Sequence, residues 1–73
     1  MEIDPKLAEQ ALQEAIEKYP GFAAYGPKIV WAPVYGGGTL LVRYEQPPPR
    51  DDPDAWEFQN AAVKGYKRLA GIS

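Results

Sequence analysis

The chain contains no cysteine and no histidine. Disulfide staples, cysteine–histidine zinc sites, thiolate nucleophiles, serine–histidine–aspartate triads and imidazole general bases are thereby excluded. Hydroxyl side chains other than tyrosine are confined to Thr39 and Ser73, which leaves little for nucleophilic catalysis. No apolar run approaches the roughly 18 residues of a membrane span. The start, Met1-Glu2-Ile3-Asp4, is acidic and lacks the basic and apolar segments of a secretory leader, so a cytoplasmic location is the default expectation. Neither charge dominates. With 8 Lys+Arg against 10 Asp+Glu the net charge is −2, which argues against a general affinity for nucleic acid or anionic membrane but leaves room for a local basic patch.

What is present fits a single small domain over 1–73, with 45% apolar and 25% charged residues, close to globular averages. Asp4-Pro5 and Asp52-Pro53 each read as a helix start, with aspartate capping free amides and proline at the first helical position. Ala8, Ala11, Leu12, Ala15, Ile16 and Tyr19 recur at i, i+3, i+4, i+7, i+8 and i+11, which predicts a first amphipathic helix over 5–19, ended by Pro20-Gly21. Ala55, Phe58, Ala62, Tyr66 and Leu69, widened by Trp56, Val63 and Ala70, predict a second over 53–70 with Gly71 beyond its end.

Between them, residues 20–27 read as a loop anchored by Phe22 and Tyr25, 28–35 as a strand, and 39–46 as a second strand across Gly36-Gly37-Gly38. Pro33 cannot donate a ladder hydrogen bond, so the first strand is expected at an edge or bulged there. The expected fold is α+β: a two-layer helix–strand–strand–helix (αββα) unit with a β-hairpin packed against two amphipathic helices.

Most eye-catching motifs have plain structural explanations. Asp51, Asp52 and Asp54 could offer oxygen ligands to a cation, but helix capping accounts for them in full. The triple glycine lacks the following helix and Lys-Ser/Thr of a phosphate loop. Pro47-Pro48-Pro49 is a stiff spacer rather than an SH3 ligand, because Asp51 and Asp52 follow Arg50 at once. No metal or cofactor is implied.

Two surfaces remain. The first strand is apolar on both sides, with Ile29, Trp31 and Tyr35 on one and Val30, Ala32 and Val34 on the other, more than two helices easily cover. Trp31 and Trp56 are expected in the core, unless the hairpin face opposite the helices carries Trp31 and Tyr35. The edge of 39–46 has no proline to blunt it. Trp31, Tyr35, Leu41, Arg43 and Glu45 are therefore the candidate partner-binding residues, toward a protein partner or a second copy. The second surface is basic: Asn60, Lys64, Lys67 and Arg68 are expected on one helical face, where Lys64, Lys67 and Arg68 could meet an anion or nucleic acid.

No segment carries a family signature. The helix–hairpin–helix order is similar to that of some small bacteriophage head-completion proteins in element order alone, and fold does not fix function. The expected function is a non-enzymatic protein-binding module acting through an exposed hairpin face or sheet edge, such as a phage or mobile-element accessory factor or an assembly subunit. The alternative is a small nucleic-acid-binding protein using the basic face of the C-terminal helix, and an enzyme built on carboxylates and tyrosines stands last.

Overall fold

Both helices begin on an Asp-Pro pair, and both pairs work the same way. The computed structural model describes residues 3–34 and 37–72. Its elements are α1 (Pro5–Lys18), a 3-10 helix (Pro20–Tyr25), β1 (Pro27–Val34), β2 (Gly37–Tyr44) and α2 (Pro53–Ala70). Asp4 Oδ1 accepts the N–H of Lys6 at 3.0 Å and of Leu7 at 3.5 Å, and Asp52 Oδ1 accepts the N–H of Asp54 at 2.9 Å. These amides have no partner inside the first helical turn, and the proline after each cap has none to leave free. At the far end of α2, Gly71 takes φ +74°, its N–H donating to Arg68 C=O at 3.3 Å and that of Ile72 to Lys67 C=O at 2.9 Å. This left-handed closure satisfies the last carbonyls and suits glycine.

The boundaries that differ from expectation have local causes. Tyr19 leaves the helical region at φ −132° ahead of Pro20, so α1 stops one residue early. The expected loop folds into the 3-10 helix, closed by Gly26 at φ +63°, and buries Phe22 as its anchor. Both strands sit one or two residues earlier than their apolar patterns suggest, because Pro27 pairs with Tyr44 at the open end and Val34 with Gly37 near the turn. Tyr35, Gly36 and Ser73 lie outside the described residues.

The hairpin register decides which backbone groups are free. Proline has no N–H, so the cross-strand pairs Pro27–Tyr44 and Pro33–Gly38 must be non-hydrogen-bonded ones. The Glu45 N–H donating to Gly26 C=O at 3.3 Å agrees with this alternation. Lys28–Arg43, Val30–Leu41 and Ala32–Thr39 are then the pairs that exchange ladder bonds. Pro33 thus costs the ladder nothing and needs no bulge. The sheet has two strands, so both are edges.

α1 packs on β1, α2 on β2, and the helices on each other, which is the expected α+β arrangement. Ala8, Ala11 and Ala15 of α1 meet Phe58, Ala62 and Tyr66 of α2, with Phe22, Ile29, Leu40 and Val42 completing the core. Small side chains let the helices approach closely: a Cβ on Gly65 would stand 3.5 Å from that of Ala11. Phe22 and Phe58 stack at 4.8 Å between ring centres, with Tyr19, Tyr25 and Tyr44 around them. Burying one such ring is worth ~1.5–3 kcal/mol, a large share for so short a chain.

Trp56, expected in the core, is 67% exposed. It lies ~120° around the helix from the centre of the buried stripe, and its size does not overcome that angle.

Candidate functional site

Alternation along the hairpin sorts its side chains into two faces. The face toward the helices carries Ile29, Leu40 and Val42, all buried, together with the half-buried Trp31 and Tyr44. Trp31 is therefore on the core side, as its size led us to expect, and not in the outward patch that made it a candidate for partner binding. Its indole lies over Gly38, where any Cβ would overlap the ring. The glycine is a clearance for the tryptophan as well as part of the turn region.

The outer face carries Lys28, Val30 and Ala32 from β1 and Thr39, Leu41 and Arg43 from β2. Val30 and Leu41 stand directly opposite each other, half-exposed, and neither packs against the core. Lys28 faces Arg43 at the open end of the ribbon, and both are exposed. Two like charges set opposite each other disfavour the hairpin slightly, and neither has an ion-pair partner among the described residues. Glu45 lies just beyond β2, its side chain against Gly26. Of the five expected binding residues, Leu41, Arg43 and Glu45 keep to the outer side, Trp31 does not, and Tyr35 is outside the described residues. Lys28, Val30 and Ala32 complete the surface. Their signal was present as the second apolar side of the first strand, but no rule of alternation says which side faces the helices.

Val30 and Lys28 also line an apolar groove of about 400 Å³ between α1 and β1, walled by Ile3, Ala8, Leu12 and Ile29. The groove and the outer face therefore meet at Val30. It arises only when α1 is laid beside β1, which explains why no local pattern announced it.

The expected basic face spans a ~100° arc of α2, with Lys64 between Lys67 and Arg68. Gly65 and Arg68 line the α1 side of α2, while Lys67 lies ~100° farther round, half-buried, for each residue advances the helix by that angle. Lys64, Arg68 and Lys18 border a groove of about 290 Å³ floored by Ala15, Ala61 and Gly65. Arg68 Nη2 donates to both oxygens of Glu14, at 3.0 and 2.9 Å. The groove thus holds three cations and one carboxylate, with Arg68 already engaged. Its pair with Glu14 is exposed and contributes under about 1 kcal/mol.

Asp52 is the α2 cap already described. The Tyr19 hydroxyl donates to Glu57 at 3.0 Å, and this bond to the carboxylate raises the Tyr19 pKa. The Tyr44 hydroxyl is closed off from solvent with no hydrogen-bond partner among the described residues, and burial raises its pKa. Among the described residues no helix is long and apolar enough to cross a membrane.

No family model matches this chain, and neither a curated protein nor a solved structure matches it. Its function is therefore argued from the surfaces above.

Proposed function

We propose that this protein is a non-enzymatic binding module that docks a protein partner on the outer face of its hairpin. The observation that carries this reading is the Val30–Leu41 pair, apolar, half-exposed and outside the core, continuous at Val30 with the groove between α1 and β1. Apolar side chains grouped on one side of a ribbon, with cations at one end, have the make-up of an interface centre and its rim. Lys28 and Arg43 favour a partner whose apolar contact residues are followed by carboxylates.

The test is capture from the native host by the parent chain, by Leu41→Glu and by Gln13→Glu. Leu41→Glu places a carboxylate in the apolar centre without touching the core, while Gln13 lies on the exposed side of α1. The expected result is one partner held by the parent and by Gln13→Glu and lost with Leu41→Glu. Equal capture by all three would remove the reading.

A second reading rests on the three cations of the interhelical groove, which favour an anionic ligand such as a nucleic-acid backbone. A titration with DNA and RNA at low ionic strength decides it: no binding there ends this alternative.

A further inference from the structure

The two edges of the hairpin are unequal. On β1 the outward positions are Pro27, Ile29, Trp31 and Pro33, so only Ile29 and Trp31 have an N–H to offer there. On β2 they are Gly38, Leu40, Val42 and Tyr44, four residues with both backbone groups, no proline and no charge. None of their N–H groups is bonded outside the ladder among the described residues, and Leu40 C=O accepts one long side-chain bond, from Thr39 Oγ1 at 3.5 Å. β1 is blunted and β2 is open.

We infer that the β2 edge is a homodimer interface: two copies pair β2 with β2 antiparallel about a two-fold axis at Leu41, giving one four-stranded sheet. In this register Gly38 pairs with the partner's Tyr44 and Leu40 with the partner's Val42, and each pair exchanges two backbone bonds, about eight in all. On the outer face Leu41 meets its own symmetry copy, and Arg43 meets Thr39 rather than a second arginine. Charge thus permits this register, because the only charged residue of the strand falls opposite a neutral one.

α1 lies over β1 and α2 over β2, so the flank of α2 turned from α1 rises above that edge. Trp56, Asn60, Val63 and Lys67 recur on this flank at i, i+4, i+7 and i+11, and Trp56 is the most exposed large apolar side chain among the described residues. Two-fold pairing sets this flank against its copy. The inference goes beyond the proposed function, since it uses the strand edge and needs no other protein. It would also double the docking face, joining Val30 and Leu41 of both copies into one apolar band.

The chain has no cysteine, so single-cysteine variants give a clean test. Sedimentation or light scattering of the parent chain should give about twice its 8.1 kDa mass. Under mild oxidation Leu41→Cys should cross-link nearly completely, because a non-hydrogen-bonded antiparallel pair holds its Cα atoms ~4.5 Å apart, within disulfide reach. Val30→Cys, one strand farther from the axis, should stay monomeric on a denaturing gel. A parent chain that remains at 8.1 kDa at millimolar concentration overturns the inference whether or not the variants fold. A dimer that cross-links through Val30 and not Leu41 also overturns it, showing that copies meet face to face.

Discussion

The same chemical change, tyrosine to phenylalanine, should shift stability in opposite directions at two positions in this small core. Tyr66 is 2% exposed and its hydroxyl accepts the Asp4 N–H at 3.0 Å, tying the start of α1 to the C-terminal part of α2. Tyr66→Phe removes that bond, and a typical intramolecular hydrogen bond is worth about 0.5–1.5 kcal/mol net. Tyr44 has the opposite problem. Its hydroxyl is shut away from solvent without a partner among the described residues. Burying an unpaired hydroxyl costs about 1–3 kcal/mol on mutational scales, so Tyr44→Phe should recover on the order of 1 kcal/mol while keeping the ring beside Phe22 and Phe58. The two variants should then differ by about 2 kcal/mol. For a domain of this size 1 kcal/mol moves Tm by about 4–8 °C, which predicts a separation of roughly 10 °C, with the parent between them. Thermal unfolding followed by circular dichroism at neutral pH and one fixed protein concentration reads this directly. The reasoning is refuted if both variants move the same way, or if Tyr44→Phe is the less stable of the two.

Two further outcomes follow from the same core. Burial raises the Tyr44 pKa above its ordinary 10.0, so the folded state holds the phenolic proton more tightly than the unfolded chain. This stability is fully present below pH 10.0 and is lost as pH rises through the folded value. Urea midpoints at pH of about 9 and about 11 should fall for the parent and fall less for Tyr44→Phe, and equal falls would exclude Tyr44 as a cause. Gly38→Ala puts a methyl group into the Trp31 indole and should destabilise by about 1–3 kcal/mol with a changed tryptophan emission, whereas an unchanged spectrum and midpoint would mean the ring is not seated over Gly38.

The sequence was most legible where a rule has a single physical solution. Asp4-Pro5 and Asp52-Pro53 begin helices because cap and proline both remove the same problem of orphan amides. Gly71 ends α2 because left-handed backbone is nearly cost-free only without a Cβ. Legibility failed where a choice depended on another element. Ile29 and Val30 are equally apolar, and only the cross-strand neighbours Val42 and Leu41, together with the helices, decide which goes inside. Pro33 allowed an edge strand or a bulge, and only its even spacing from Pro27 in the observed register shows that the edge alone suffices, with both prolines directed away from the ladder. Lys64, Lys67 and Arg68 share one arc of α2 as their spacing indicates, but Glu14 of α1 claims Arg68, which no local pattern announces. Trp56 shows the same lesson for size: angular position on the helix outranks hydrophobic volume.

The paired rings of Pro27 and Pro33 also set a limit on stoichiometry. A ribbon with two receptive borders can template copy after copy, and every addition renews the template. Here the border of β1 has too few amide donors to continue a ladder, so in the dimer proposed above growth from β2 would exhaust itself after one event. A sheet of this kind counts to two and stops, which protects a chain with an uncovered strand from filament formation at high concentration.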